Sequence, residues 1–308
     1  MQAVSALASS VDTLPNLNST TSRRSARARK WPLLLLLAPA CLVLLAFVVI
    51  PLVLVFRDSL DAPSIYGGVT SKLTVSNYTT IFQSTYLGVI RHSLLVAAEN
   101  TILCVSVGYC VAYWIVTRPP SRQPILILLL IVPFWTDFIV RTFTWINLLS
   151  DQGVLNGLLR VTGIHRTPLQ LIPSSTAVFI GLLYAFLPTA VLPIYAALRN
   201  SDLTLLEAAE DLGCGRIALH RRIVFPLASV GVLASALLIF VPTMGVYVIT
   251  VLLGGGKQLL IGNLLETVYL EFRDIPLGAA ISIVMVVFML VTLAVVATAS
   301  NVLRKRVQ

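Results

Sequence analysis

The stretch TLLEAAEDLGCGRIALHRRIVFP at positions 204–226 is a polar interruption between two long apolar runs, and its reading decides the rest. Thr204 followed three residues later by Glu207 fits a capping box, in which the hydroxyl caps the first turn and the carboxylate reaches back to the cap's backbone amide. A short helix then runs through Glu207-Ala208-Ala209-Glu210-Asp211-Leu212. Gly213 and Gly215 tolerate positive backbone angles and are expected to stop it. A second short helix starts after Gly215 and sets Ile217, Leu219 and Ile223 beside Arg216, His220, Arg221 and Arg222. Pro226 suits the first turn of the next long helix, where a missing N–H costs nothing. Two short helices bent at a glycine would present a knob to a cytosolic partner. From periodicity alone a plain linker is an equal reading, because basic amphipathic segments also rest on lipid headgroups.

What flanks this stretch is too apolar for water. The 308 residues are 57% hydrophobic and 11% charged, with a mean hydropathy of +0.91. A soluble domain has about 45–50% apolar and about 25% charged residues. Apolar runs of the roughly 20 residues needed to cross a bilayer recur along the chain. Six can be drawn, at 31–56, 87–116, 124–149, 175–198, 226–252 and 277–303. The expected fold is therefore all-α, a polytopic membrane protein with six transmembrane helices.

Arginine and lysine placement orients it, because cytoplasmic flanks retain positive charge. Arg23, Arg24, Arg27, Arg29 and Lys30 precede the first run, Arg118 and Arg122 join the second to the third, and Arg304, Lys305 and Arg306 close the chain. With Arg199, Arg216, Arg221 and Arg222 on the same side, both termini and the 200–226 connection are expected in the cytoplasm. The net charge of +9 is thus a topology signal, and nucleic acid is not an expected partner. Residues 1–30, rich in Ser, Thr and Arg, read as a disordered cytoplasmic tail ahead of a transmembrane domain at 31–303. The apolar run that follows is longer than the 7–15 residues typical of a cleaved signal.

The chemistry-bearing residues exclude more than they suggest. Cys41, Cys104, Cys110 and Cys214, and His92, His165 and His220, show no spacing suited to a disulfide or a metal site. No phosphate-cradling GxxxxGK[ST] loop is present, so ATP, if used, is bound by another chain. Neither a cofactor nor a catalytic residue is expected.

Glu207-Ala208-Ala209, Gly213 after three intervening residues, and Ile223 and Pro226 beyond resemble the EAA loop of binding-protein-dependent ABC importer permeases. Phe225 stands where that family usually has leucine. The resemblance implies a type I ABC importer permease fold in a bacterial plasma (inner) membrane. It also implies a partner ABC ATPase dimer, a second and distinct permease subunit, and an extracytoplasmic substrate-binding protein. Residues 200–226 would be the coupling loop, with Glu207, Ala208, Ala209 and Gly213 forming the surface that docks on the ATPase and Ile223 and Pro226 completing the motif. Val132-Pro133-Phe134-Trp135-Thr136, Pro242-Thr243-Met244-Gly245, Leu253-Gly254-Gly255-Gly256, Leu260-Ile261-Gly262-Asn263 and the segment from Phe272 to Ala280 are similar to the spermidine/putrescine permeases. Val246 departs from the acidic residue many of those relatives carry there.

Ionisable residues inside the apolar runs ask for an explanation, at roughly 2.5–3.5 kcal/mol each near the bilayer centre. Asp137 and Arg141 stand four apart on one helical face, where they can pair, and Glu99 sits beside Asn100 mid-run. One reading is structural, an ion pair plus a bridging hydrogen bond between helices. The other is a pathway for an organic cation, with Asp137, Glu99 and Arg141 setting its charge and Trp135 and Tyr247 adding cation–π contacts. Pro133, Pro188 and Pro242 are expected bends, moving or static. A secondary transporter driven by an ion gradient, or the same permease role for another small solute, stays open at this stage.

Overall fold

The computed structural model describes residues 30–63, 69–163, 168–201 and 204–307, so the expected N-terminal tail lies outside the described residues. Helix α1 (Lys30–Leu44) passes through a π-helical turn (Leu45–Val49) into α2 (Ile50–Asp58). A small antiparallel hairpin, β1 (Asp61–Pro63) with β2 (Val69–Leu73), and α3 (Ser76–Ile81) precede the long α4 (Ser84–Val116). Next come α5 (Gln123–Ile131), a 3-10 turn (Val132–Trp135), α6 (Phe138–Leu149), α7 (Val154–Val161) and α8 (Ser175–Arg199). The last part holds α9 (Thr204–Asp211), α10 (Arg216–Leu219), α11 (Phe225–Met244), α12 (Val248–Gly254), α13 (Ile261–Glu266) and α14 (Ile275–Val307), with π-helical turns at His220–Val224 and Thr267–Glu271.

Among the described residues, five helical runs are long and apolar enough to cross a membrane, or six if one bent pair counts as a single span. The chain divides into two units, residues 1–55 and 56–308. Within the second unit, α4, α8 and α11 pack against one another, α14 lies along α11, and α12 packs on α6 and α8. Small residues permit this contact, as is usual where lipid offers no hydrophobic drive between helices. A Cβ on Gly108 would stand 2.6 Å from the Ala190 Cβ, and one on Gly231 would stand 2.5 Å from the Pro193 carbonyl oxygen. Side-chain hydrogen bonds also cross between the helices: Ser235 Oγ donates to Ala190 O at 2.8 Å, and Ile261 N donates to Ser93 Oγ at 2.9 Å. Ile125, Leu128, Leu129, Val287, Leu290 and Val291 point away from the core, the pattern of a body whose solvent is hydrocarbon.

Two sequence expectations change. The third apolar run is two helices, Gln123–Trp135 and Phe138–Val161, bent by 90°. Pro133 lacks the N–H that would continue the α-ladder, the chain tightens to 3-10, and Thr136 is extended at φ −74°, ψ 148°. The fifth run ends at Met244 rather than continuing to 252. Pro226 lies in the first turn of α11, as expected, although α11 also continues the run Arg216–Met244. The π-turn just before it absorbs the disruption, with Phe225 N donating to His220 O, five residues back. Pro51 follows the first π-turn in the same register, where Ile50 N donates to Leu45 O. Of the expected proline bends, Pro133 coincides with a break, whereas α8 runs through Pro188 and α11 through Pro242.

Candidate functional site

Helix α9 is seated by one face. Leu206 and Ala209 are buried in a cluster with Ile115 and Val116 of α4, Leu198 of α8, and Leu219 and Val224 beyond the elbow. Ala208 points outward, and Leu212, just past the helix, is 88% exposed. Of the residues expected to form a docking surface, Ala208 and Gly213 are thus exposed while Ala209 faces the chain's own core. The side chain of Glu207 lies outside the described residues. Gly213 has φ +76°, and Cys214 N donates to Ala209 O at 2.9 Å, the 6→1 bond of a Schellman cap. A side chain at that φ would be strained, which is why glycine ends the helix. Gly215, expected to share this role, is extended at φ −64° and serves as the N-cap of α10.

Beyond the elbow the chain is fastened to α4. Tyr109 Oη and His220 Nδ1 hydrogen-bond at 3.0 Å, and the Tyr113 ring meets the His220 ring edge-on at 4.4 Å. Ile223 is half-buried against the same cluster, and Pro226 is half-buried one turn on. On the other side, Tyr195 Oη donates to Gln123 Oε1 at 2.8 Å, and Gln123 Nε2 donates to the carbonyls of Val116 and Arg118. The elbow thus packs on or bonds to α4 and α8, runs on into α11, and through Tyr195 of α8 is tied to α5.

A second constellation sits at the break of the third run. Asp137 is the N-cap of α6, its Oδ1 accepting from Ile139 N at 2.8 Å and Val140 N at 3.4 Å. Non-helical backbone at Thr136 is what frees it for this role. The expected ion pair with Arg141 is not made. The guanidinium instead turns back over the Phe134 ring, 4.7 Å from its centroid, and donates to Thr136 O at 2.9 Å. Arg141 Nε is buried without a partner among the described residues. Phe134 stacks on Tyr184 at 5.2 Å, and Tyr184 meets Trp145 edge-on at 5.4 Å, so rings from α6, α8 and the 3-10 turn surround the arginine.

Trp135 is 80% exposed, and Asp137 is exposed two residues later. Tyr247, half-buried, is the N-cap of α12, whose Ile249 and Leu253 line the same small cavity as Arg141 and Trp145. Glu99 is exposed on α4 and belongs to neither group, although Val96, one turn earlier, packs in the cluster that holds Ile249 and Leu149. The structure therefore gathers Trp135, Asp137 and Arg141 at one break, sets Tyr247 at the start of the helix that shares the Arg141 cavity, and leaves Glu99 apart. Tyr184 and Trp145 were not singled out in the sequence. An aromatic on each of two helices flanking an intramembrane arginine was the available signal. No group of His, Cys, Asp or Glu among the described residues is arranged to hold a metal.

Residues 122–308 match the family described as "Binding-protein-dependent transport system inner membrane component". The chain is 37% identical over 265 residues to the spermidine/putrescine transport system permease protein PotB of Escherichia coli (strain K12), covering 86% of this chain and 96% of that protein. It is 35% identical over 268 residues to the protein of the same name from Haemophilus influenzae, with 86% and 93% covered. Its fold is similar to a chain of a bacterial alginate ABC transporter solved with an alginate pentasaccharide-bound periplasmic protein. There the TM-score is 0.69 at 16% identity, with 93% of this chain and 98% of that one covered.

Proposed function

We propose, from the premise that this chain belongs to the family of binding-protein-dependent transport system inner membrane components, that it conducts a polyamine such as spermidine or putrescine into the cell. The chain is a multi-pass inner-membrane transport subunit of an ABC importer and not an enzyme, since ATP hydrolysis belongs to a separate ATPase. Spermidine and putrescine come from the printed names of the relatives described above. The observation in this chain that carries the reading is the break of the third run. Nine α-helical and four 3-10 residues lead from Gln123 to Trp135, roughly 20 Å along the axis. That is well into a hydrocarbon core of ~30 Å, and there the chain exposes a carboxylate and an indole. A carboxylate at such depth is stable only against protein or a water-lined path, and carboxylate plus aromatic face is the chemistry that holds an alkylammonium.

In this reading a second permease, distinct from this chain, closes the path on its other side. An extracytoplasmic binding protein delivers cargo, and an ATPase dimer grips α9 from the cytoplasm, where both termini also lie. Glu207, Ala208 and Gly213 form the grip, while Ala209, Ile223 and Pro226 seat it. Nucleotide-driven closure shifts the population between outward- and inward-open states through differential contacts with α9. The test is uptake of labelled spermidine and putrescine by proteoliposomes holding the full complex with binding protein and ATP. Uptake that needs ATP and survives collapse of the proton gradient supports the reading. Uptake without ATP that collapses with the gradient would replace it with a secondary transporter.

A further inference from the structure

Three arginines surround the π-turn. Among the described residues, Arg216, Arg221 and Arg222 make no ion pair and no side-chain hydrogen bond. Beside them lies a groove of ≈ 430 Å³ lined by Tyr109, Arg216, Ile217, His220, Arg221 and Phe225. A larger open cavity of ≈ 1100 Å³ shares Arg216, Ile217 and Arg221 with it and adds Arg222. The groove has an apolar floor, with the Tyr109 and Phe225 rings 6.2 Å apart, and a cationic rim.

Depth says what such a groove meets. The run Arg216–Met244 has 29 residues, so it is ~43 Å long against a hydrocarbon core of ~30 Å. Its 20 residues from Phe225 to Met244 carry no charge and fill that core. Arg216 to Val224 therefore stand at headgroup level, and the half-exposed Phe225 marks the boundary. The neighbouring end of α4 agrees. Trp114 is exposed there with the Arg118 guanidinium 4.6 Å over its ring, the arrangement of an interfacial belt.

The geometry points to a binding site for an anionic phospholipid, with the phosphate between Arg216 and Arg221 and an acyl chain along Tyr109 and Phe225. The chain's own N-terminal segment is not the occupant, because Arg23, Arg24, Arg27 and Arg29 give it the same sign. A lipid held here rests on the one segment that joins α9 to α11 and on the Tyr109–His220 bond, so occupancy stiffens the elbow. This goes beyond the transport reading and does not depend on which solute is carried.

The test reconstitutes the full transporter in phosphatidylcholine nanodiscs with or without phosphatidylglycerol, then counts the lipids that survive detergent extraction by native mass spectrometry. Wild type is expected to retain phosphatidylglycerol and not phosphatidylcholine, and excess inorganic phosphate should not displace it. In Arg216→Gln/Arg221→Gln, retention should fall roughly 20- to 30-fold, the effect of two headgroup-level charges. Lysine at both positions should restore it, with the ATPase subunit copurifying throughout. Equal retention of both lipids, or unchanged retention in the glutamine variant, would overturn the proposal. So would loss of the ATPase subunit with the lipid count intact, which would make the groove a protein contact.

Discussion

The Asn100 side-chain amide donates to Thr243 Oγ1 at 3.1 Å, tying the middle of α4 to the last turn of α11. Both residues are fully buried, and the pair extends through Cys104 Sγ, which donates to Asn100 Oδ1, and Thr243 Oγ1, which donates to Ile239 O. Hydrogen bonds between membrane helices average ~0.6 and reach ~1.7 kcal/mol. Asn100→Ala and Thr243→Val should each destabilise the detergent-purified subunit by an amount in that range, read as a lowered melting temperature. The double variant should lose little more than the worse single, since both remove one bond. Full additivity in the thermal melts would show that the bond is not shared.

The packing of α8 against α11 predicts an asymmetric response among glycines. At Gly231 an added Cβ meets the Pro193 carbonyl oxygen at 2.5 Å and the Ile194 Cα at 2.8 Å, which are backbone atoms that cannot turn aside. At Gly157 on α7 nothing lies within 4 Å. Gly231→Val should therefore cost ~1–3 kcal/mol through overpacking and cut the yield of monodisperse protein. Gly157→Ala should leave yield unchanged or raise stability by up to ~1 kcal/mol. Size-exclusion profiles and melts of the two variants side by side measure the difference.

These two contacts also mark where sequence reading reached and where it stopped. Apolar run length located the spans, because hydrocarbon thickness dictates it, and Gly213 announced the end of α9 because few other residues take φ +76°. Pro133 was legible as a bend but not as a 90° break, since the outcome depends on Asp137 being free to cap α6. Spacing alone also paired Asp137 with Arg141, whereas each finds backbone partners that the break itself creates. Gly215 was read as closing α9 but caps α10 instead, and nothing local in the sequence announces the widened turn that joins α10 to α11 ahead of Pro226. Partners distant in sequence, such as Tyr109 with His220 or Gln123 with Tyr195, had no local signal at all.

The elbow has an exposed face and a face buried against its own chain. Ala208 is exposed and Ala209 buried, so Ala208→Trp should abolish copurification of the ATPase subunit without shifting the melt of the isolated permease. Ala209→Asp should do the reverse first, lowering the melt because a carboxylate enters an apolar cluster unpaired. Glu207→Ala should weaken copurification and stop ATP-driven uptake. Gly213→Ala should cost ~1–2 kcal/mol locally from the left-handed conformation, with a partial loss of uptake. Copurification with the ATPase, read together with thermal melts, distinguishes the two faces. Normal copurification and transport in both Ala208→Trp and Glu207→Ala would remove the docking role.

Asp137 offers a substitution that isolates charge from structure. Asparagine caps helices about as well as aspartate, so Asp137→Asn keeps the acceptor for Ile139 N and Val140 N while deleting the negative charge beside Trp135. The melt and ATPase association should therefore match wild type. Uptake of spermidine should fall, because a ground-state attraction between carboxylate and ammonium is lost. If the charge contributes about 1.4 kcal/mol, the half-saturating concentration rises about tenfold. Asp137→Ala removes cap and charge together and should add a loss of stability of ~0.5–2 kcal/mol. Trp135→Leu should lower uptake by a smaller factor, in line with a cation–π contact of ~0.5–2 kcal/mol, and without a stability change because the ring is exposed. Unchanged uptake kinetics in Asp137→Asn, with an intact melt, would confine this residue to capping α6 and move the search for the cation path to Glu99.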